Sequence, residues 1–362
     1  MLVVEDSVTV RKRHIEILAA EAGIEIVGEA EDGKQAIELC LRTRPDVITM
    51  DMMLPVMSGL SATEYIMAHC PTPILVVSAS INRGELFKIY EALAAGAVDV
   101  LEKLTGGEAT GTWERRFIAT VKLVAKIRVI THPRARLPGF VARKPIAAPA
   151  AVPAMAQTAR RTAVVAIGAS TGGPGAILEI LRSLPAEFRL PVLLVLHINE
   201  PFGTAFADWL DAQTGRSVAY ARDGMTVTSA VGSVAVAPSG MHMVVGDGRV
   251  HLNRDPERHS CRPSVDVLFE SVAAEYGPAA AGCLLTGMGR DGALGLLKIR
   301  QSGGVTIAQD EATSIVYGMP REAALIGAAE HVLRLGDIGA RIAELECADG
   351  APRAAGRVEA RA

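Results

Sequence analysis

Short apolar runs recur along most of the chain, separated by longer stretches in which apolar positions return every three or four residues. The runs predict strands and the longer stretches predict amphipathic helices. In the first third, Leu2–Val4, Ile24–Val27, Val47–Met50, Ile74–Val77 and Val98–Leu101 read as strands. Helical spacing fills the intervals near 8–21, 34–43, 59–69, 84–95 and 113–130. Strand-then-helix units in succession predict a parallel sheet with helices on both faces. Such sheets carry their chemistry at the carboxyl ends of the strands.

From about 131 to 161 the pattern stops and Pro, Ala and Arg dominate, as in Pro145-Ile146-Ala147-Ala148-Pro149. The prolines disfavour helix and central strand, so this segment reads as a semi-extended linker. The alternation then resumes with strands Ala163–Ile167, Pro191–Leu196, Val234–Ala237, Ala281–Thr286 and Val305–Ala308, and helices over 174–184, 264–276 and 291–302. Met243–Val245 and Val250–Leu252 flank Gly246-Asp247-Gly248, which reads as a β-hairpin turn. The Ala/Arg/Gly/Glu-rich tail reads as disordered. The expected division is an α/β domain over 1–130, a linker over 131–161, a second α/β domain with an antiparallel insertion over 162–345, and a tail over 346–362.

A chain of 362 residues suits two domains, and 49% apolar with 21% charged residues places it among globular proteins. The net charge of -3 gives no electrostatic case for nucleic acid or an anionic membrane as partner. The 5 cysteines are scattered and lack Cys-x-x-Cys spacing, which fits a reducing cytoplasm better than a disulfide framework or a zinc site. No apolar run approaches the roughly 20 residues of a membrane span, and the N-terminus carries carboxylates where a signal peptide would carry lysines. The expectation is a soluble, cytoplasmic, monomeric protein.

Two sets of chemistry-bearing residues lie where strands give way to loops. In the first domain Glu5 and Asp6 follow the first strand and Asp51 the third, which are neighbours in a sheet ordered 2-1-3-4-5. Clustered carboxylates repel, so their pocket needs a cation, and Mg²⁺ with oxygen ligands fits. A carboxylate also serves as a nucleophile toward a phosphoryl group. Ser78 and Lys103, ending the fourth and fifth strands, supply a hydroxyl and a cation to hold the new phosphate. Taken singly, each is an ordinary polar strand terminus; four in order make a constellation.

In the second domain, Gly168-Ala169-Ser170-Thr171-Gly172 follows a strand. Such a turn exposes a serine nucleophile, although glycine turns of this kind also bind anions at helix N-termini. Among 8 histidines, His197 ends the run Pro191 to Leu196 and would emerge at the same sheet rim as Ser170; His242 and His259, in loops, are rivals. Asp291 follows the run Ala281–Leu285 and would orient the imidazole; its plainer reading is a helix N-cap. The glycines around it let backbone N–H groups converge, as an oxyanion hole requires. The order Ser, His, Asp differs from the Ser, Asp, His of α/β-hydrolases.

The first domain resembles the flavodoxin-like receiver domain of two-component response regulators. The matching stretches are Val3-Val4-Glu5-Asp6-Ser7, Asp46 through Gly59, Ser78-Ala79-Ser80, and Gly96 through Lys103. The resemblance implies Asp51 as phosphoacceptor, Mg²⁺ held by Glu5, Asp6, Asp51 and the Met53 carbonyl, and a histidine kinase as phosphodonor. Three features depart from the pattern: a first strand several residues shorter than usual, Val100 where many receivers carry a switch aromatic, and Leu104 where a proline commonly follows the lysine. From about 162 to 340 the chain resembles the effector domain of chemotaxis protein-glutamate methylesterases (the CheB family). The motifs are Ile167 through Pro174, His197-Ile198, Ala237 through His242, Arg262 through Phe269, Leu285 through Gly292, Ala308 through Glu311, and Tyr317 through Arg321. That resemblance implies a doubly wound α/β hydrolytic domain with Ser170, His197 and Asp291 as its triad. It suggests the Met288 backbone N–H as an oxyanion donor, joined by that of Thr171 next to the serine. It implies methyl-accepting chemoreceptors as substrate, no cofactor for hydrolysis, and a receiver packed over the catalytic rim. The competing readings are a serine hydrolase on another acyl substrate, and a phosphorylation-dependent binding protein with an inactive hydrolase domain.

Overall fold

The structure, a computed structural model, describes residues 1–79, 82–104, 111–127, 129, 161–198 and 200–347. Nearly all of the linker expected over 131–161, and the tail beyond 347, lie outside the described residues.

The first domain alternates β1 (Leu2–Val4), α1 (Val8–Ala19), β2 (Gly28–Ala30), α2 (Gly33–Thr43), β3 (Ile48–Met50), α3 (Gly59–His69), β4 (Ile74–Ser78), α4 (Arg83–Ala94), β5 (Asp99–Glu102) and α5 (Thr112–Val124). Polar residues start several helices: Asp32, Ser58 and Asn82 each accept a backbone N–H from the first turn of α2, α3 and α4. The strands pair in parallel in the order β2-β1-β3-β4-β5, as the sequence pattern predicts. Chain order reverses between β1 and β3, so Glu5, Asp6 and Asp51 meet at one crevice. The second strand lies later than expected: Ile24 and Ile26 pack half-buried against the core, and pairing with β1 begins at Gly28. The apolar run there marks the chain entering the sheet rather than the strand itself.

The second domain runs β6 (Val164–Ala169), α6 (Gly173–Ser183), β7 (Val192–Leu196), α7 (Phe206–Thr214), β8 (Val218–Tyr220), β9 (Val234–Val236), β10 (His242–Gly246) and β11 (Arg249–Asn253). It continues through α8 (Val265–Tyr276), β12 (Ala280–Leu284), α9 (Ala293–Gln301), β13 (Val305–Gln309), α10 (Met319–Leu325), β14 (His331–Leu333) and α11 (Leu335–Cys347). Its sheet is parallel, in the order β14-β13-β12-β6-β7-β9-β8. From β6 the chain builds outward through β7, then returns to the other side of β6 to lay down β12, β13 and β14. The doubly wound expectation holds, and the switch point is the carboxyl end of β6. The antiparallel hairpin is also present: β10 and β11 pair through Gly246 and Arg249, and Asp247 and Gly248 turn at φ 52° and 68°.

One face of α4 closes the first domain onto the second. The Tyr90 ring, fully buried, lies 5.5 Å from Phe206 and 5.5 Å from Trp209 of α7, and its hydroxyl donates to the Phe202 carbonyl. At the rim Arg83 pairs with Asp208 at 3.1 Å. Among the described residues no helix is long and apolar enough to cross a membrane.

Candidate active site

Three loops leave the sheet at the β6 switch point, and they carry Ser170, His197 and Asp291. Ser170 directly follows β6, and its N–H donates to the Thr286 carbonyl at 3.0 Å, tying it to the loop after β12. Gly172 turns at φ 78°, a conformation that side chains rarely adopt, and α6 starts at once behind it. Gly168 is required for a different reason: a Cβ there would come within 2.8 Å of Val265 Cγ2, so only glycine admits α8 this close to β6.

That approach matters because the N-terminus of α8 holds Asp291. Ser264 Oγ donates to Asp291 Oδ1 at 2.8 Å, the Val265 N–H to Oδ2 at 2.7 Å, and the Asp266 N–H to Oδ1 at 3.1 Å. His197 Nε2 meets Oδ2 at 2.9 Å. The carboxylate is therefore buried at a helix N-terminus, whose unpaired donors and dipole favour its charge. Burial alone would raise its pKa, but the hydrogen bond and charge of His197, with Ser264 and Val265, hold it below the ordinary value. For His197 burial pulls downward, and hydrogen bonds to Asp291 and Cys261 with their charges outweigh it, pushing the pKa up to about 9. The N-cap of α9 is Gly292, so Asp291 serves the imidazole and α8 instead.

The rival histidines have other partners. His242 is buried, with Nδ1 accepting the Ser264 N–H at 3.2 Å and Nε2 against the Pro256 carbonyl at 3.2 Å. His259 Nε2 pairs with Asp266 at 3.1 Å. Ser170, Thr171 and His197 line a cavity of about 160 Å³ whose opposite wall is Val98, Asp99 and Val100 of the first domain. Among the described residues, the Thr171 and Met288 N–H groups have no protein acceptor. The Met288 loop is braced from below: the Thr286 N–H donates to buried Gln309 at 2.8 Å, and the Gly287 carbonyl accepts the Met319 N–H at 2.8 Å. Ser264 and Cys261 were not singled out by sequence; Ser264 stood only inside the family-like stretch Arg262 through Phe269.

At the other switch point, Glu5 and Asp51 are buried and Asp6 is exposed, with one oxygen of each within 4.8 Å of the others. Lys103 Nζ bridges Asp51 at 2.8 Å and Glu5 at 2.8 Å. Burial raises the Glu5 pKa, opposed by Lys103. Three carboxylates against one lysine leave an acidic, all-oxygen pocket, a donor set that suits a hard divalent ion such as Mg²⁺. The Met53 N–H donates to Asp51 at 3.4 Å, which puts the Met53 backbone beside the phosphoacceptor candidate. Ser78 is buried at the end of β4, and its carbonyl accepts the Lys103 N–H at 3.0 Å.

These features define a class: a receiver-type domain packed on a doubly wound α/β domain whose switch point gathers a serine, a histidine and an aspartate. Comparison with known proteins agrees. The family model for the CheB methylesterase matches residues 165–342, and that for the response regulator receiver domain matches residues 1–109. The chain is 42% identical to protein-glutamate methylesterase/protein-glutamine glutaminase 2 of Anaeromyxobacter dehalogenans, over 95% of this chain and 96% of that protein. It is 41% identical to protein-glutamate methylesterase/protein-glutamine glutaminase 4 of Geobacter metallireducens, over 92% of this chain and 94% of that protein. The crystal structure of the Thermotoga maritima CheB methylesterase catalytic domain is 34% identical, covers 51% of this chain and 98% of its own, and superposes with a TM-score of 0.48. The chain belongs to the CheB methylesterase family, in the form that carries a receiver domain.

Proposed function

We infer that the chain hydrolyses γ-glutamyl methyl esters on chemoreceptors, releasing methanol, and deamidates glutamine at comparable sites, in the cytoplasm and under control of phosphorylation. Ser170 Oγ attacks the acyl carbon. With Nε2 held by Asp291, Nδ1 is the imidazole nitrogen left to take the serine proton and return it to the leaving group. The unpaired Met288 and Thr171 N–H groups hold the oxyanion. Water then attacks the acyl-enzyme by the same route. The observation that carries this reading is the His197–Asp291 pair, a half-buried imidazole on a carboxylate buried at the α8 N-terminus, at the strand rim that bears Ser170. Methanol release from methylated receptor fragments tests it: Ser170→Ala lowers the rate by roughly four to six orders of magnitude. Release at near wild-type rate by that variant rejects the assignment.

Regulation starts at Asp51, which takes a phosphoryl group from a histidine kinase; Glu5, Asp6, Asp51 and the Met53 carbonyl would hold a Mg²⁺ ion there, which would offset the charge on the phosphoryl group. The phosphoryl group adds charge and acceptor oxygens that Ser78 and Lys103 can hold. Lys103 follows β5, and Asp99 and Val100 on that strand form a wall of the Ser170 cavity. A change at the phosphate pocket therefore has a one-strand path to the receiver surface that covers the serine.

A further inference from the structure

A third chemical group stands beside the triad candidates. Cys261 Sγ lies 3.8 Å from His197 Nδ1, and one donor atom each from Cys261, His197 and Asp291 falls within 4.8 Å of the others. The thiol is half-buried at the edge of a second cavity, about 530 Å³, bounded also by Met288, Arg290 and Glu322. Its placement is fixed by backbone. Arg258 and Cys261 exchange two hydrogen bonds, of 3.2 and 2.9 Å, across a turn in which His259 and Ser260 take φ 52° and 59°.

We propose that Cys261 and His197 form an inhibitory site for a thiophilic transition-metal ion of the zinc class, bound through Cys261 Sγ and His197 Nδ1. A thiolate and an imidazole together favour such an ion over Mg²⁺ or Ca²⁺. With Zn–S about 2.3 Å and Zn–N about 2.0–2.1 Å, a tetrahedral ion spans roughly 3.6 Å between sulfur and nitrogen. The observed separation is within a few tenths of an ångström of that span. Asp291 already accepts from Ser264, Val265, Asp266 and His197, so it stays behind the imidazole. A carboxylate on the far nitrogen of a metal-binding histidine fixes the ring and raises its basicity. Water from the second cavity fills the open positions, which makes the ion exchangeable. On binding, the thiol proton and the Nδ1 proton of the protonated imidazole both leave to solvent, so that Nδ1 binds as neutral imidazole. The loss of activity rests on the reading of Nδ1 as the base, whereas the binding does not.

The test uses the full chain with phosphodonor and excess Mg²⁺ to saturate the receiver carboxylates. Titration with Co²⁺ gives a thiolate-to-cobalt charge-transfer absorption in the near ultraviolet for wild type and for Ser170→Ala, and none for Cys261→Ala. Zn²⁺ inhibits methanol release by the wild type and chelator restores it, and the residual release by Cys261→Ala, measured against its own zinc-free rate, is less sensitive to zinc by at least the roughly 10–100-fold that loss of an outer-shell partner costs. No charge-transfer band in the wild type, or equal zinc sensitivity in Cys261→Ala, overturns the proposal. A band that survives in Ser170→Ala while that variant still releases methanol keeps the metal site and discards the serine mechanism.

Discussion

At the residue scale, His197 sets the pH behaviour of the reaction. The free enzyme needs neutral imidazole as base, and the pKa of His197 is pushed up to about 9. The value of kcat/KM, which reports the free enzyme, therefore rises with pH and levels off above that point. Asp291→Asn removes the balancing charge, so the rise moves toward the ordinary histidine range and the plateau drops by roughly four orders of magnitude. A pH–rate profile of both forms checks the shift and the loss together. The same histidine affects stability: its folded pKa lies above the ordinary 6.5, so its contribution is complete below that pH and disappears as pH rises through about 9. Ser264→Ala removes both the N-cap of α8 and a hydrogen bond to a buried carboxylate. It should cost about 1–3 kcal/mol, read as a lower denaturation midpoint. As candidates, Ser170 and His197 were legible because each lies at the end of an apolar run, and Asp291 because it stands in the glycine-rich loop beyond one. Ser264 and Cys261 were not, because contacts made by a helix start and a loop in the fold leave no mark on the local pattern.

At the scale of elements, the fully buried parallel strands were the easiest to read. β4, β6, β7, β12 and β13 are buried along their length, and apart from Ser78 in β4 and Thr306 and Gln309 in β13 they contain no polar side chain. The edge strands β8 and β14 have exposed or half-buried positions, so Val218–Tyr220 and His331–Leu333 carried no run to find. β2, also an edge, is Gly28-Glu29-Ala30, and the more apolar residues before it drew the assignment forward. The junction of β6 with α8 allows a sharper test. Gly168→Ala would drive a Cβ into Val265 and push the α8 N-terminus away from Asp291. The expected result is about 1–3 kcal/mol of destabilisation with a fall in kcat larger than any change in KM. Stability lost with kcat intact would mean that the approach of α8 serves packing alone.

At the scale of the molecule, helical periodicity in α4 announced a buried face without saying that part of it buries against another domain. Tyr90 is the anchor there, packed on Phe206 and Trp209 and bonded to the Phe202 carbonyl, whereas Arg83 and Asp208 form an exposed pair at the rim. Buried aromatic anchors at interfaces contribute about 2 kcal/mol or more, and exposed ion pairs about 0–1 kcal/mol. If packing of the receiver over the Ser170 cavity restrains the enzyme, the two contacts should differ in what their loss releases. Removing about 2 kcal/mol moves the packed-to-released ratio by roughly 30-fold, so Tyr90→Ala should raise methanol release without phosphodonor by up to that factor. Arg83→Ala should change it by less than about fivefold. Asp51→Ala should leave basal release unchanged and abolish the response to phosphodonor and Mg²⁺. The comparison is made on the full chain, with circular dichroism confirming that Tyr90→Ala remains folded. A folded Tyr90→Ala protein with wild-type basal activity would show that α4 docking does not hold the serine in check, and that phosphorylation acts instead by bringing the enzyme to its receptors.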